Sequence, residues 1–315
     1  FCLSSLSYAK NYIDFSKVSS KKNITSNVHI SLQPQDIIYN PLRNEVPTYF
    51  SGGHGNFMKV EYTSNTLWGK IDFINSGNER LSRILYLDYP LTGLMSFFWK
   101  GKEIITGSSV PMSQRNIQDV LTAIKISMRP GERQTLYFKR NSQHTFSTKF
   151  FLANDLEFYK ARMGHENKFR FYLGAMGALI LYNLFLAFFF KESKYYLYCG
   201  FVVLFLLSVL NLNGVLDYIE VFRSTTLSHY LIIFSSLTTY MALSFGYTFL
   251  EGSHYLVSLM PMKRVLQVLS LLPAFFAPTR VYLNHPHYFG FYIDAVIQVS
   301  LIFLIISCFI AMKKG

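Results

Sequence analysis

The chain has 315 residues, of which 50% are hydrophobic, 17% aromatic and only 15% charged, against roughly 25% charged in an ordinary soluble protein. Disorder, collagen and a disulfide scaffold are excluded at once. The formal net charge of +12 does not point to nucleic acid, because the basic residues are scattered and no zinc or aromatic recognition motif accompanies them. The charges are also unevenly spread. Residues 1–168 hold 21 Lys/Arg and 13 Asp/Glu, whereas residues 169–315 hold 9 and 5. This pattern predicts a soluble half followed by a membrane half.

Residues 1–24 read as the tail of a signal peptide and a linker. The stretch 1–9 is apolar and small, and Ser7-Tyr8-Ala9 resembles a cleavage site; a poorly ordered terminus is the plainer alternative. Residues 25–157 read as a β-sandwich. Hydrophobic alternation runs through 28–32, 57–62, 68–73, 81–87, 124–128, 135–139 and 145–152. Turn residues separate the runs at Ser51-Gly52-Gly53, Asn75-Ser76-Gly77-Asn78, Gly101-Lys102 and Arg129-Pro130-Gly131-Glu132. Many short strands at this spacing predict a sandwich or barrel. Residues 158–168 read as a connector.

Catalytic patterns are missing from this half. His29, His54, His144 and His165 have no metal-ligand spacing, and Gly52-Gly53-His54-Gly55 lacks the Lys and Ser/Thr of a phosphate loop. Asp72 and Asp88 form no recognisable carboxylate pair. The expectation is a non-enzymatic region without cofactor or metal. Ligand binding suits an exported sandwich better. Trp68, Trp99, Tyr86 and Tyr89 are the aromatic planes on which a sugar face stacks. Trp68 begins an alternating strand and also reads as core. Trp99, beside Lys100-Gly101-Lys102, reads as exposed at a turn. Arg115 follows the loop 107–111; it either meets an acidic or hydroxylated ligand or pairs with Asp119.

Five apolar runs follow, at about 169–190, 195–216, 229–250, 265–283 and 288–312, each near the ~20 residues that cross a bilayer. The fourth is the weakest, since Pro273, Pro278 and Arg280 fall inside it. Lys191 and Lys194, Lys263 and Arg264, and Lys313 and Lys314 mark alternate loops, which places those loops and the C-terminal end in the cytoplasm and residues 1–168 outside. Tyr195, Tyr196, Tyr198, Tyr288 and Tyr292 suit membrane interfaces. Asp294 is the one acid well inside a span; it is either functional or paired with Arg280 or a nearby His. Asn183, Asn211 and Asn213 read as interhelical glue, and Gly174 with Gly177 as a close-packing patch. Cys199 and Cys308 read as small hydrophobes.

The order of parts resembles the bacterial seven-transmembrane receptors with diverse intracellular signalling modules, the 7TMR-DISM family. The carrying stretches are Leu67-Trp68-Gly69-Lys70-Ile71-Asp72-Phe73-Ile74-Asn75, Leu85-Tyr86-Leu87-Asp88-Tyr89-Pro90-Leu91, 107–111 with Arg115, and Arg129-Pro130-Gly131-Glu132 with Thr135-Leu136-Tyr137-Phe138. In the membrane half they are 172–177, Leu181-Tyr182-Asn183-Leu184, Tyr195-Tyr196-Leu197-Tyr198 and Asn213-Gly214. Gly69 departs from the bulky residue the family commonly has there, which suggests a bulge. The resemblance implies a jelly-roll of the type-2 extracellular domain, related to carbohydrate-binding modules. It also implies a seven-span domain, of which residues 169–315 are the first five spans, and a cytoplasmic output module or partner. The implied protein sits in the bacterial inner membrane, senses a small molecule or glycan, and leaves a homodimer open. A membrane-anchored adhesion or scaffold protein, and a transporter component relying on Asp294, are the competing readings.

Overall fold

The structure, a computed structural model, describes residues 12–52, 55–61, 63, 65–141, 146–218, 227–250, 254, 256–277 and 286–314. It divides into two compact units, Phe1–Met163 and Gly164–Gly315.

The first unit is built of strands. They are β1 (Ile13–Asp14), β2 (Lys21–Asn23), β3 (His29–Gln33), β4 (Met58–Val60), β5 (Thr66–Ile74), β6 (Leu81–Leu87), β7 (Leu94–Trp99), β8 (Lys102–Thr106), β9 (Ala123–Met128), β10 (Arg133–Asn141), β11 (Phe146–Thr148) and β12 (Phe150–Ala153). One sheet has the order β1-β5-β10-β7-β8, with β3 also paired to β5; the other has the order β2-β12-β6-β9; β11 and β4 form a short pair. Alternation puts one face of each sheet into a shared core. Leu67, Ile71, Phe73, Phe97, Leu136 and Phe138 meet Leu85, Leu87, Ile124, Ile126, Phe150 and Leu152 there. Burying each such side chain contributes roughly 1.5–3 kcal/mol.

Gly69 lies in this core without a bulge. It stays in register with Phe138 on one side and Ile30 on the other. A Cβ at Gly69 would come within 1.9 Å of the Phe138 ring. The Phe138 ring therefore fills the space a side chain would take, and the expected bulge is replaced by a small-for-large exchange across two strands.

The hairpin between β7 and β8 turns at Lys100 and Gly101, both left-handed at φ 49° and 72°, as a two-residue turn of the primed type requires. The turn sits one residue earlier than the sequence pattern places it. Trp99 is consequently the last residue of β7 and points into the core, 7% exposed and edge-on to Phe73 at 6.0 Å. The expectation of an exposed Trp99 is thus corrected. Two strands, β1 and β2, also lie in the stretch read as remnant and linker.

The other face of the second sheet is covered as well. Ile84, Tyr86, Ala123 and Ala153 pack with Leu121 and with Phe158 from the first helix, α1 (Asp155–Phe190). The Asn154 side chain caps that helix by accepting the Glu157 N–H at 2.8 Å. No breaker follows, so residues 158–168 are helix interior, continuous with the first apolar run.

The second unit contains the rest of α1, then α2 (Ser193–Leu212), α3 (Leu227–Phe249), α4 (Met260–Phe276) and α5 (Pro286–Lys314). Among the described residues, five helices are long and apolar enough to cross a membrane. α3 packs on α2, α4 and α5. Gly246 admits Leu304 so closely that a Cβ would lie 2.6 Å from its methyl group, and Leu243, Leu266 and Phe303 form a small buried cluster. Gly174 and Gly177, by contrast, have open space where a Cβ would stand, so the close-packing glycine is Gly246. The Gln267 amide donates to Ser244 Oγ at 2.6 Å and the Tyr292 hydroxyl donates to the Leu269 carbonyl at 3.0 Å, joining α4 to α3 and to α5. Asn183 and Asn213 donate to carbonyls of their own helix, Leu179 and Val209, rather than acting as the expected interhelical glue. Pro278 and Arg280 lie outside the described residues.

Candidate functional site

Among the described residues, the outer face of the first sheet offers a candidate site. Its outward residues follow from register: Ser31 beside Trp68, Trp68 beside Lys139, Lys70 beside Tyr137, Asp72 beside Thr135, and Tyr137 beside Phe98. A strap of residues 34–50 crosses this face. Both of its ends are tied to β3: the Tyr39 hydroxyl reaches Gln33 at 3.3 Å, and Ser51 exchanges two backbone hydrogen bonds of 2.8 Å with Ile30. In the middle of the strap a short 3-10 turn, Pro41–Arg43, is capped by the Asn40 side chain and ends at Asn44 in the left-handed region.

Trp68 lies beneath the strap. Its ring stacks on Phe98 at 5.8 Å, meets Tyr39 edge-on at 5.9 Å, and has the Lys139 ammonium 5.8 Å from its centre. It is fully buried, and among the described residues its indole N–H has no acceptor. Trp68 is therefore buried, as alternation suggests, but against the strap rather than in the inter-sheet core.

Beside the strap the face stays open as a cleft of about 430 Å³. Phe98, Thr135 and Tyr137 line it from the sheet, Lys100 and Gly101 from the β7–β8 turn, Arg133 and Gln134 from the start of β10, and Pro41, Leu42 and Asn44 from the strap; Tyr12 closes one side. The Arg133 guanidinium lies 5.4 Å from the Tyr12 ring centre. Lys100 reaches Glu132 at 2.7 Å, and Glu132 also accepts the Arg129 N–H at 2.7 Å. Partial burial pushes the Glu132 carboxyl up, but those bonds outweigh it and hold the group below the usual range. Asp72 accepts from Thr135 at 2.5 Å and pairs with Lys70 at 3.5 Å. Aromatic planes, hydroxyls and two cations in a shallow cleft suit a polar, ring-shaped ligand.

The residues singled out in the sequence do not come together here. Tyr86 is buried beneath α1, and Trp99 faces the core. Tyr89 packs against that core, where burial pushes its hydroxyl above the usual range despite Arg140 nearby. Arg115 is buried and donates to the carbonyls of Val110 at 2.8 Å and Asp119 at 2.7 Å, both in the loop that carries it. The Asp119 carboxylate, fully buried, pairs with Arg162 of α1 at 2.9 Å. Asp294 is exposed on α5. His54 and His144 lie outside the described residues. Among those described, no group of His, Cys, Asp and Glu is arranged to hold a metal ion. The signal for the cleft was present in the sequence only as the outward set of two alternating strands, Phe98 on β7 and Thr135 and Tyr137 on β10.

A strand-built unit with a ligand-sized cleft, joined through a capped helix to apolar spans, defines a membrane receptor with an extracellular domain. Comparison with known families bears this out. Residues 26–154 match the 7TMR-DISM extracellular 2 domain, and residues 168–315 match the 7TM domain of the receptors with diverse intracellular signalling. The chain belongs to the 7TMR-DISM family. A search of curated proteins finds no match.

Proposed function

We propose that this receptor senses a saccharide-type ligand in the cleft beside the strap and passes the event through its spans to a cytoplasmic output module or partner. The carrying observation is the juxtaposition of Phe98 and Tyr137 with Thr135, Gln134, Lys100 and Arg133 around one open cleft. Apolar sugar faces pack on aromatic rings while hydroxyls find donors and acceptors around them. Ligand binding biases the receptor only through different affinity for its two states. The loops marked by Lys191 and Lys194 and by Lys263 and Arg264, with Lys313 and Lys314, face the cytoplasm of a bacterial inner membrane, and the sandwich lies outside. No catalytic step is assigned to this chain.

The test is a titration of oligosaccharides against the full chain in nanodiscs. Tyr137→Ala is expected to weaken binding by roughly tenfold, about the size of one aromatic contact, in a chain whose cooperative unfolding shows that the sandwich is retained. No binding by any saccharide, or an unaltered affinity in Tyr137→Ala, contradicts the reading.

A further inference from the structure

The cleft also carries a charge signature that narrows its ligand. Two cations line it, Lys100 and Arg133, and no Asp or Glu does. Two carboxylates that adjoin lining residues are occupied elsewhere, and Glu45, next to Asn44 in the strap, stands outside the lining. Glu132 is held by Lys100 and the Arg129 N–H, and Asp72 by Thr135 and Lys70. Glu103, level with Phe98 on the edge strand, stands outside the lining. Arg133 is exposed, and its ring contact with Tyr12 leaves its guanidinium without a carboxylate among the described residues. Arg presents a planar fork of donors that matches a carboxylate bidentately.

We infer that the cleft selects an acidic saccharide, whose carboxylate is held by Arg133 while its ring lies against Tyr137 and Phe98. The inference rests on the saccharide reading of the cleft and adds the charge of the ligand. Lys100 is the second contact. Its side chain leaves a left-handed turn residue, held in place because Gly101 shares the turn. The Lys100–Glu132 pair is partly exposed, so exchanging Glu132 for a ligand carboxylate costs little. A neutral sugar of the same shape keeps the ring and hydroxyl contacts but loses the charge contact with Arg133.

The experiment uses the full chain in nanodiscs. Tetramers of galacturonate, glucuronate and mannuronate are titrated beside the same tetramers with their carboxylates reduced to alcohols. At least one acidic tetramer is expected to bind roughly tenfold or more tightly than its reduced counterpart, the size of one charge-assisted hydrogen bond. Its affinity falls as salt is raised. Arg133→Gln is expected to remove the difference, and Arg133→Lys to restore part of it. Arg133 is an exposed strand-end residue, so both variants retain the fold, which an unchanged melting temperature verifies. Equal affinity for acidic and reduced tetramers, or an unaltered preference in Arg133→Gln, overturns the acidic selection and leaves saccharide binding standing. Failure of every tetramer to bind overturns both.

Discussion

At the residue scale, burial separates packing from recognition. Trp68→Ala should destabilise the first unit by about 3–5 kcal/mol, the usual cost of deleting a buried large aromatic. Trp68→Phe should cost clearly less, because it also removes an indole N–H that has no acceptor. Chemical denaturation of the two variants checks this; equal losses would mean that the N–H is satisfied. Gly69→Val should cost about 1–3 kcal/mol or more through collision with the Phe138 ring, and Phe138→Ala in the same chain should recover part of it. Asp14 makes a pH prediction. Burial raises its carboxyl, but hydrogen bonds from Ser76 and Ser16 outweigh it and bring the pKa down to about 2. A lowered folded-state value gives stability that is complete above the ordinary carboxylate value and is lost as pH falls toward about 2. Asp14→Asn should therefore lower the melting temperature at neutral pH and flatten its fall between roughly pH 4 and pH 2. Residue types told much of this in advance, since Gly69 stood out as unusual. What it exchanges with lay nearly seventy positions away, at Phe138, and only pairing of β5 with β10 brings the two together.

At the scale of elements, the attachment of α1 is the informative feature. Arg162 reaches the buried Asp119 carboxylate, and Phe158 fills the pocket between Tyr86, Leu121 and Ala153. Arg162→Ala removes one partner of a buried carboxylate and should destabilise the first unit by up to roughly 3 kcal/mol. Asp119→Asn combined with Arg162→Ala should cost less than the two single changes added together, because both act on one interaction. A double-mutant cycle by thermal unfolding measures the coupling; strict additivity would mean that the pair contributes nothing. The sequence showed Asp119 and Arg115 close together and left Arg115 either meeting a ligand or pairing with Asp119. Arg115 donates to the carbonyls of Val110 and of Asp119 itself, and the Asp119 carboxylate takes a partner from a helix more than forty residues on. The strands themselves were legible from alternation. For the β7–β8 hairpin the sequence marked a turn at Gly101-Lys102 but not the two strands, and the shift of the turn by one residue to Lys100-Gly101 turns Trp99 inward.

At the scale of the whole molecule, the uneven charge and the five apolar runs were enough to divide the chain into a strand-built and a helical unit, and the combination carried the family. The cleft was not legible. It depends on a strap that lacks periodicity and on side chains from four separate segments, none of which forms a motif by spacing. The proposed orientation in the membrane rests on the basic loops, and Lys194→Cys, in a chain whose three native cysteines are replaced by serine, tests it in intact cells. That position should resist an impermeant thiol reagent until the membrane is opened; labelling of closed cells would reverse the topology. The most direct test of the account's central claim is hydrogen exchange of the full chain in nanodiscs, with and without a bound acidic tetrasaccharide. Binding in the cleft slows exchange at 41–44, 98–101 and 133–137. Protection centred instead on the 107–119 loop near Arg115, or no protection of these segments by a ligand that binds, would contradict it.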